Sequence, residues 1–221
     1  MISVSVSNEL RDKWPAFVGA ALFADIKNSP DSDGLWKEIN EQISFLQTHY
    51  DTESIKHISG IEATRKAYKA CGKDPSRYRP SNEQLIRRII QNKGLYHVNT
   101  VVDMLNLASM KFGYSIGGFD SCLIKGDKAV LGVGRKDEPY EGIGRGILNI
   151  EGMPVYRDDE GGFATPTSDH ERTKISIDTK NLLVFVNGYD GDENNVMQCA
   201  AFIERLLRLY AFAKDVQIRQ F

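Results

Sequence analysis

The chain has 221 residues, of which 41% are apolar, enough for one large domain or for one domain with an extension. Its formal net charge of −2 gives no overall attraction for nucleic acid, so a nucleic-acid role requires a local basic patch. The sequence has neither a long apolar run nor a signal-peptide pattern, so we expect no membrane association and a cytoplasmic location. Three widely spaced cysteines argue against a disulfide framework or a zinc site, and we expect no metal and no cofactor.

The N-terminal third contains two strand patterns and then helical ones. Ile2, Val4 and Val6 alternate with serines, as in a half-buried strand, and residues 16–26 predict a more buried strand. Residues 35–46 predict an amphipathic helix, and residues 52–69 predict helical pieces interrupted at Gly60.

Two helices joined by a polar turn are predicted in the middle of the chain. Ser81 and Gln84 form a capping-box pattern at the start of the first helix, and Gly94 suits its end. The second helix is expected to begin near Asn99 and to end at Gly113. The glycine pair at 117–118 would then allow a close approach of the backbone to another group.

Short strands are predicted beyond Asp120, followed by one closing helix over about 192–212. The predicted strands cover residues 122–124, 129–133, 146–150, 154–156, 173–177 and 182–187. Segregated helices and strands favour an α+β fold over a repeating βαβ pattern.

One stretch resembles a known family. The segments RPSNEQLIRRII from Arg79 and VNTVVDMLNLASMKFGYSIGGFD from Val98 resemble the B3/B4 domain of the phenylalanyl-tRNA synthetase β subunit. Asp103, Asn106, Phe119 and Asp120 match the family pattern, and TKNLLV at 179–184 resembles its later strand. The segment ATPTSDHERTKI at 164–175 is similar to free-standing relatives that lack a synthetase body.

The resemblance implies a B3/B4-type layered fold of β-sheets packed with helices, over residues 55–221. Residues 1–54 would then be an extension packed on the core. In the synthetase this domain hydrolyses tyrosine wrongly attached to phenylalanine tRNA, so the implied partner is tRNA or aminoacyl-tRNA, without DNA. Asn106 matches the family's pocket asparagine. Leu105 replaces its threonine, Gly117 its histidine and Phe185 the glutamate that senses the tyrosine hydroxyl.

Ester hydrolysis needs a positioned water, a proton acceptor and oxyanion donors. The polar loop 165–172 is the densest set of such groups: Arg172 could hold an anion, Asp169 or His170 could orient water, and the glycine pair could cradle a carbonyl. The alternative is a solvated connection with Arg172 in a structural ion pair. The predicted pocket consists of Asn106, Gly117, Gly118, Thr165, Ser168, Asp169, Arg172 and Phe185.

A basic patch is the candidate RNA contact. Residues 65–93 contain nine basic residues against only Asp74 and Glu83, and Tyr68 and Tyr78 are interleaved. The alternative is a merely solvated helical face. The predicted RNA-binding residues are Lys73, Arg77, Arg79, Arg87 and Arg88.

Three functions follow as hypotheses. The first is an aminoacyl-tRNA-binding domain, with metal-independent hydrolysis of mischarged aminoacyl-tRNA as its possible activity. The second is a non-catalytic RNA- or amino-acid-binding module, and the third is an interaction protein that shares only the fold.

Overall fold

The computed structural model describes residues 2–221 and contains helices α1–α6 and strands β1–β10. The helices are α1 (Asn8–Lys13), α2 (Asp33–His49), α3 (Ser59–Cys71), α4 (Ser81–Ile90), α5 (Thr100–Phe112) and α6 (Glu193–Tyr210). The strands are β1 (Ser3–Val6), β2 (Val18–Asp25), β3 (Ser115–Asp120), β4 (Lys128–Val133), β5 (Glu141–Gly142), β6 (Gly146–Ile147), β7 (Pro154–Arg157), β8 (Gly162–Ala164), β9 (Asn181–Gly188) and β10 (Lys214–Gln220). The predicted α+β class is confirmed.

Two four-stranded sheets and a layer of helices build the molecule. One sheet has the antiparallel order β10-β2-β9-β3, and the other has the order β1-β4-β7-β8, in which β1 and β4 are parallel. A short hairpin of β5 and β6 stands apart from both sheets. Helices α2, α5 and α6 share a core with one face of the β9 sheet.

Strand β9 shows how the layers are specified. Its residues are apolar on both faces, which is the pattern of a strand covered on both sides. Leu182, Val184 and Val186 point to the helices, whereas Leu183 and Phe185 point to the second sheet. Nearly all of the strand is buried, so β9 is the centre of the fold.

The first 54 residues are built into this architecture. Strand β2 lies between β9 and β10 and pairs with β9 from Val18↔Gly188 to Asp25↔Asn181. Strand β1 pairs with β4, and α2 packs against α5. The division into an extension and a core domain stays a prediction.

Several local predictions are wrong. Helix α4 is preceded by Pro80, and Ser81 caps nothing: its N–H donates to the carbonyl of Pro166, and the amide of Gln84 donates to the carbonyl of Arg79. The interruption predicted at Gly60 is displaced to Ile58, between a 3-10 turn at Ser54–His57 and α3, and Gly60 allows close packing against the Gly113 carbonyl. The strand predicted at 122–124 is instead a 3-10 turn at Ser121–Leu123. The strand predicted at 173–177 is instead an irregular segment, and it follows a second 3-10 turn at Glu171–Thr173.

Four strands were not predicted, namely β3, β5, β8 and β10. Strand β3 contains the glycine pair and pairs with β9, and β10 closes the sheet at the end of the chain. Glycine and charged residues are rare in strands, so the residue propensities did not indicate a strand at β3 or at β10.

Candidate ligand-binding site

A cavity of about 470 Å³ lies between α5, β3 and the loop that follows β8. This volume falls in the range of small-molecule sites. Seven of the eight predicted pocket residues line it: Asn106, Gly117, Gly118, Thr165, Ser168, Asp169 and Phe185. The cavity walls also include apolar side chains from α5 and its flanks, among them Leu85, Val98, Val102, Leu105, Ile143 and Ile175.

The chain reversal after α5 brings these residues together. Asn99 accepts a hydrogen bond from the Val102 N–H at 3.0 Å and fixes the start of the helix. Gly113 ends the helix in the left-handed region at φ 72°, where glycine carries no steric penalty. Strand β3 then runs back beside α5, so Asn106 and the glycine pair face the same space.

The glycine pair leaves no room for side chains. A Cβ on Gly118 would collide with Leu105 and Ile175, and a Cβ on Gly117 would collide with the ring of Phe119. Both glycines therefore allow the backbone of β3 to pass close to these side chains.

Asp169 is the carboxyl group that lines the cavity. Burial raises its pKa to about 8, and a hydrogen bond from the Gly118 N–H opposes that rise. The nearby cations are engaged elsewhere, since Lys174 pairs with Glu171 and Arg172 with Asp158. Asp169 therefore changes charge close to neutral pH.

The other polar side chains of the cavity differ in whether they already have hydrogen-bonding partners. Within residues 2–221 the side chain of Asn106 has no hydrogen-bonding partner. By contrast, the hydroxyl of Thr165 donates to the carbonyl of Ser168 at 2.9 Å and accepts from the Ser168 N–H at 3.1 Å. Asn106 can therefore contact a ligand without breaking an existing hydrogen bond, whereas Thr165 shapes the loop.

Aromatic rings form one wall of the cavity. Phe185 stacks on Tyr156 with ring centroids 4.2 Å apart, and Phe119 lies 5.3 Å from Phe185. The Tyr156 hydroxyl donates to Asn187 at 2.7 Å, so it is already satisfied. Phe119 and Phe185 are fully buried, so this cluster supports the cavity wall from behind.

Arg172 corrects the prediction, because it does not line the cavity. Its two terminal nitrogens donate to the two carboxylate oxygens of Asp158 at 2.8 and 2.7 Å. The guanidinium thus binds an internal carboxylate in the bidentate geometry that it would otherwise offer a ligand. His170 is also outside the cavity, where its Nδ1 accepts the N–H of Arg172.

A groove of about 400 Å³ adjoins the cavity and shares Ser81, Leu85 and Asn106 with it. Four arginines line the groove: Arg79, Arg87, Arg88 and Arg145. We call this surface the arginine groove. Three of its arginines belong to the predicted RNA-binding set.

Lys73 and Arg77, the other two members of that set, lie elsewhere. Lys73 is buried, donates to the carbonyl of Asn149 at 2.7 Å and lies 4.0 Å from the ring centre of Tyr78. Burial lowers the pKa of Lys73. Both residues line a separate open depression with Glu9, Asp74 and Glu151. The predicted continuous patch is therefore wrong in extent, because the chain turns Lys73 inward.

A buried carboxylate organises the groove arginines. Glu83 has no exposed side-chain surface and lies 2.8 Å from Arg65 and 2.9 Å from Arg87, with Arg79 at 3.8 Å. One carboxylate facing three guanidinium groups leaves a surplus of positive charge at the groove. The sequence showed Glu83 only as one of two opposing charges.

Two further groove residues were not predicted. Arg145 reaches the groove from the β5–β6 hairpin and contacts Gln84. Tyr96 lies in the segment between α4 and α5 and is exposed. Both residues line the groove beside residues that are distant in the sequence, and residue spacing does not reveal such contacts.

Metal and membrane features are absent from the part of the chain that the structure describes. Residues 2–221 contain no cluster of three histidine, cysteine or acidic residues that could hold a metal ion. None of the helices there combines the length and apolar character needed to cross a bilayer.

Comparison with known proteins identifies the family. The family described as the B3/4 domain matches residues 63–200, more than half of the chain. The chain belongs to the B3/4 domain family. This result confirms the resemblance inferred from residues 79–120.

The chain is similar to part of one larger protein in sequence and aligns with part of one solved structure. The chain is 30% identical over 107 residues to the phenylalanine–tRNA ligase β subunit of Geobacter metallireducens (strain ATCC 53774 / DSM 7210 / GS-15), covering 48% of this chain and 13% of that protein. A crystal structure of an N-terminal fragment of the phenylalanyl-tRNA synthetase β-subunit from Pyrococcus horikoshii aligns with a TM-score of 0.49 and 18% identity. That alignment covers 99% of this chain and 50% of the fragment.

The candidate site lies entirely within the family segment. Every residue that lines the cavity or the arginine groove falls between residues 79 and 187, inside the matched range of 63–200. The site is therefore a property of the B3/4 domain.

Proposed function

We propose that this B3/4 domain protein binds the aminoacylated 3′ end of a tRNA. The observation that carries the proposal is the junction of a largely apolar cavity with a groove lined by four arginines. An aminoacyl-tRNA end has matching parts, because an amino acid esterified to a nucleoside is followed by charged phosphates. Kinship with a subunit of a tRNA ligase supports the same assignment.

Each part of the site has its own task in this proposal. The cavity takes the aminoacyl group, with its side chain against Val98, Val102 and Ile175 and its ester near Asn106 and Asp169. Arg79 and Arg145 provide charge for phosphates, and arginine binds phosphate oxygens in a bidentate manner. No group of the ligand needs a metal ion.

Hydrolysis of the ester is the activity proposed for this site. Asp169, once ionised, accepts a proton from a water molecule while the water oxygen attacks the ester carbonyl carbon. The bond between that carbon and the ribose oxygen breaks, and the ribose oxygen takes up a proton. A pKa of about 8 suits a base that acts near neutral pH. The activity would remove an amino acid from a mischarged tRNA, in trans to any synthetase.

Binding without hydrolysis is the second candidate. The observation that favours it is that two polar residues of the predicted pocket already have partners. Thr165 is hydrogen-bonded within its loop, and Arg172 pairs with Asp158. Such a module would bind RNA or an amino acid in the same cavity.

A deacylation assay distinguishes the two candidates. Purified protein is incubated with a panel of correctly and wrongly charged tRNAs, and Asp169→Asn serves as the test variant. Hydrolysis of at least one aminoacyl-tRNA that falls with the variant supports the enzyme. Tight, salt-dependent binding without hydrolysis supports the module. If neither occurs, and Arg87→Ala with Arg88→Ala changes nothing, the protein shares only the fold.

A further inference from the structure

Tyr96 is an unusually exposed aromatic residue on the rim of the arginine groove. Its relative exposure is 61%, and it belongs to the segment 91–99 that connects α4 to α5. Exposed tyrosines are common, so exposure alone assigns no role. The informative feature is how the ring is held.

Arg88 fixes the Tyr96 ring from one side. The guanidinium carbon lies 3.8 Å from the ring centre, and one terminal nitrogen donates to the tyrosine hydroxyl at 2.8 Å. The same guanidinium donates to the carbonyls of Gly94 at 3.2 Å and Lys93 at 3.1 Å. Arg88 is thereby fully engaged and acts as a support for the ring.

The following residues hold the segment to α5. The Nδ1 atom of His97 lies 2.6 Å from a carboxylate oxygen of Asp103, and the Val98 N–H donates to the other oxygen at 3.2 Å. Asp103 is fully buried. The ring of Tyr96 is therefore preorganised between two anchored neighbours, so a ligand that stacks on it loses little conformational entropy in the protein.

The second face of the ring has no partner. Tyr96 stacks with no other aromatic ring among residues 2–221 and lines the groove together with Arg79, Arg145 and two glutamines. An aromatic face beside phosphate-binding side chains is the arrangement that single-stranded nucleic acids use.

We propose that Tyr96 stacks on an unpaired base, so that the arginine groove takes the single-stranded nucleotides that precede the terminal aminoacyl adenosine. The inference rests on the proposed function and names the form of RNA that the site accepts. Bases inside a duplex have both faces covered by neighbours and only the end pair has an open face, so a double-stranded end offers the groove no run of unpaired bases. The cavity would accommodate only the last residue of the strand.

The test uses a series of non-hydrolysable ligands. An aminoacyl group is joined by an amide bond to adenosine alone and to single-stranded RNAs of two, three and four nucleotides. Binding to the full chain is measured by calorimetry at fixed ionic strength. We expect the affinity to rise as nucleotides are added. In Tyr96→Ala, the affinity for the longer ligands should be about tenfold lower than in the wild type. Binding of the one-nucleoside ligand should stay unchanged.

Control variants separate the ring from the fold. Tyr96→Phe keeps the stacking face and should bind the four-nucleotide ligand within about threefold of the wild type. Phe45→Ala removes an exposed aromatic residue on α2, outside the groove, and should have no effect. A hairpin RNA with a blunt aminoacyl amide end should bind equally to the wild type and to Tyr96→Ala.

The outcomes distinguish this inference from the proposed function. If the one-nucleoside ligand binds but longer ligands show no dependence on Tyr96, the platform is wrong and the aminoacyl site stands. If no ligand of the series binds, both are wrong. If Tyr96→Ala weakens the one-nucleoside ligand equally, Tyr96 belongs to the cavity and the platform is again overturned.

Discussion

His97 and Asp103 form a 2.6 Å contact that fastens the segment 91–99 to α5. Burial raises the pKa of Asp103, and hydrogen bonds from the Val98 N–H and from His97 oppose that rise. The indole nitrogen of Trp36 also lies 3.2 Å from the same carboxylate. One buried carboxylate thus fixes residues that border both the cavity and the groove.

We expect Asp103→Ala to loosen this segment. The variant leaves the Val98 N–H without its acceptor and removes the contact of the carboxylate with His97, which should cost about 1–3 kcal/mol of unfolding free energy. Hydrogen exchange followed by mass spectrometry should show faster exchange over residues 95–98. Asp31→Ala, at an exposed position, is the control. Unchanged exchange in Asp103→Ala would show that the carboxylate does not hold the segment.

Hydrolysis should depend on the ionisation of Asp169. Because the carboxylate form is the base, the single-turnover rate should increase with pH and level off above about 8. Asp169→Asn should lower the rate by at least about 100-fold and abolish this rise. A pH-independent rate in the wild type would exclude Asp169 as the base.

The same group should affect stability in the opposite direction to a salt-bridged carboxylate. Its pKa is about 8 in the folded protein and near the ordinary 3.8 in the unfolded chain, so the folded state holds more protons between these values. Stability is therefore lost as pH rises through this window. Urea titrations measure the unfolding free energy of both proteins. Between pH 5 and pH 8.5, the unfolding free energy of Asp169→Asn should rise relative to that of the wild type by about 1 kcal/mol or more. Asp31→Asn should show no such trend.

Charge in the arginine groove should govern RNA affinity. Arg79 and Arg145 are exposed and carry no strong ion pair, whereas Arg87 is tied to Glu83. Replacing both by alanine should weaken tRNA binding and reduce the slope of log affinity against log salt by about one for each lost phosphate contact. Arg11→Ala on α1, away from the groove, is the matched control. Equal slopes for the double variant and the control would count against phosphate binding here.

The Glu83 cluster should be structural. Glu83→Gln leaves Arg65 and Arg87 without a buried counter-charge, and loss of one partner from such a cluster costs about 3 kcal/mol. Chemical denaturation measures the change. Glu53→Gln, which removes a solvent-exposed pair with Lys56, should alter stability little. A similar result for both variants would contradict the burial argument.

Gly118 should control access to the cavity. A methyl group at this position collides with Leu105 and Ile175, which both line the space. We expect Gly118→Ala to cost about 1–3 kcal/mol of stability and to weaken binding of the adenosine amide ligand. Phosphate-driven binding of uncharged tRNA should persist, because the groove does not include Gly118. Equal binding of the amide ligand would show that the cavity is not its site.

The sequence predicted those elements whose signals are local. Asn99 and Gly113 bound α5 as expected, because a cap side chain and a left-handed glycine act within one turn. The strands at 129–133 and 182–187 followed from continuous apolar runs. The residues Asn106, Gly117 and Asp169 line one cavity, although they come from three separate elements.

Misplaced residues were those whose partners lie far away in the chain. Arg172 pairs with Asp158 and Lys73 binds the carbonyl of Asn149, and nothing in local spacing predicts either contact. Strand β10 is charged and half exposed, so it became visible only through its pairing with β2.

Strand β2 lies in the interior of its sheet, and this position determines which truncated fragments of the protein can fold. A fragment limited to the family segment, residues 63–200, would lack both β2 and β10. Strand β9 would then present eight residues of unpaired, strongly apolar backbone edge, which is a template for intermolecular association. Such an excised piece should aggregate on expression, so recombinant work on the B3/4 region needs the flanking strands as well.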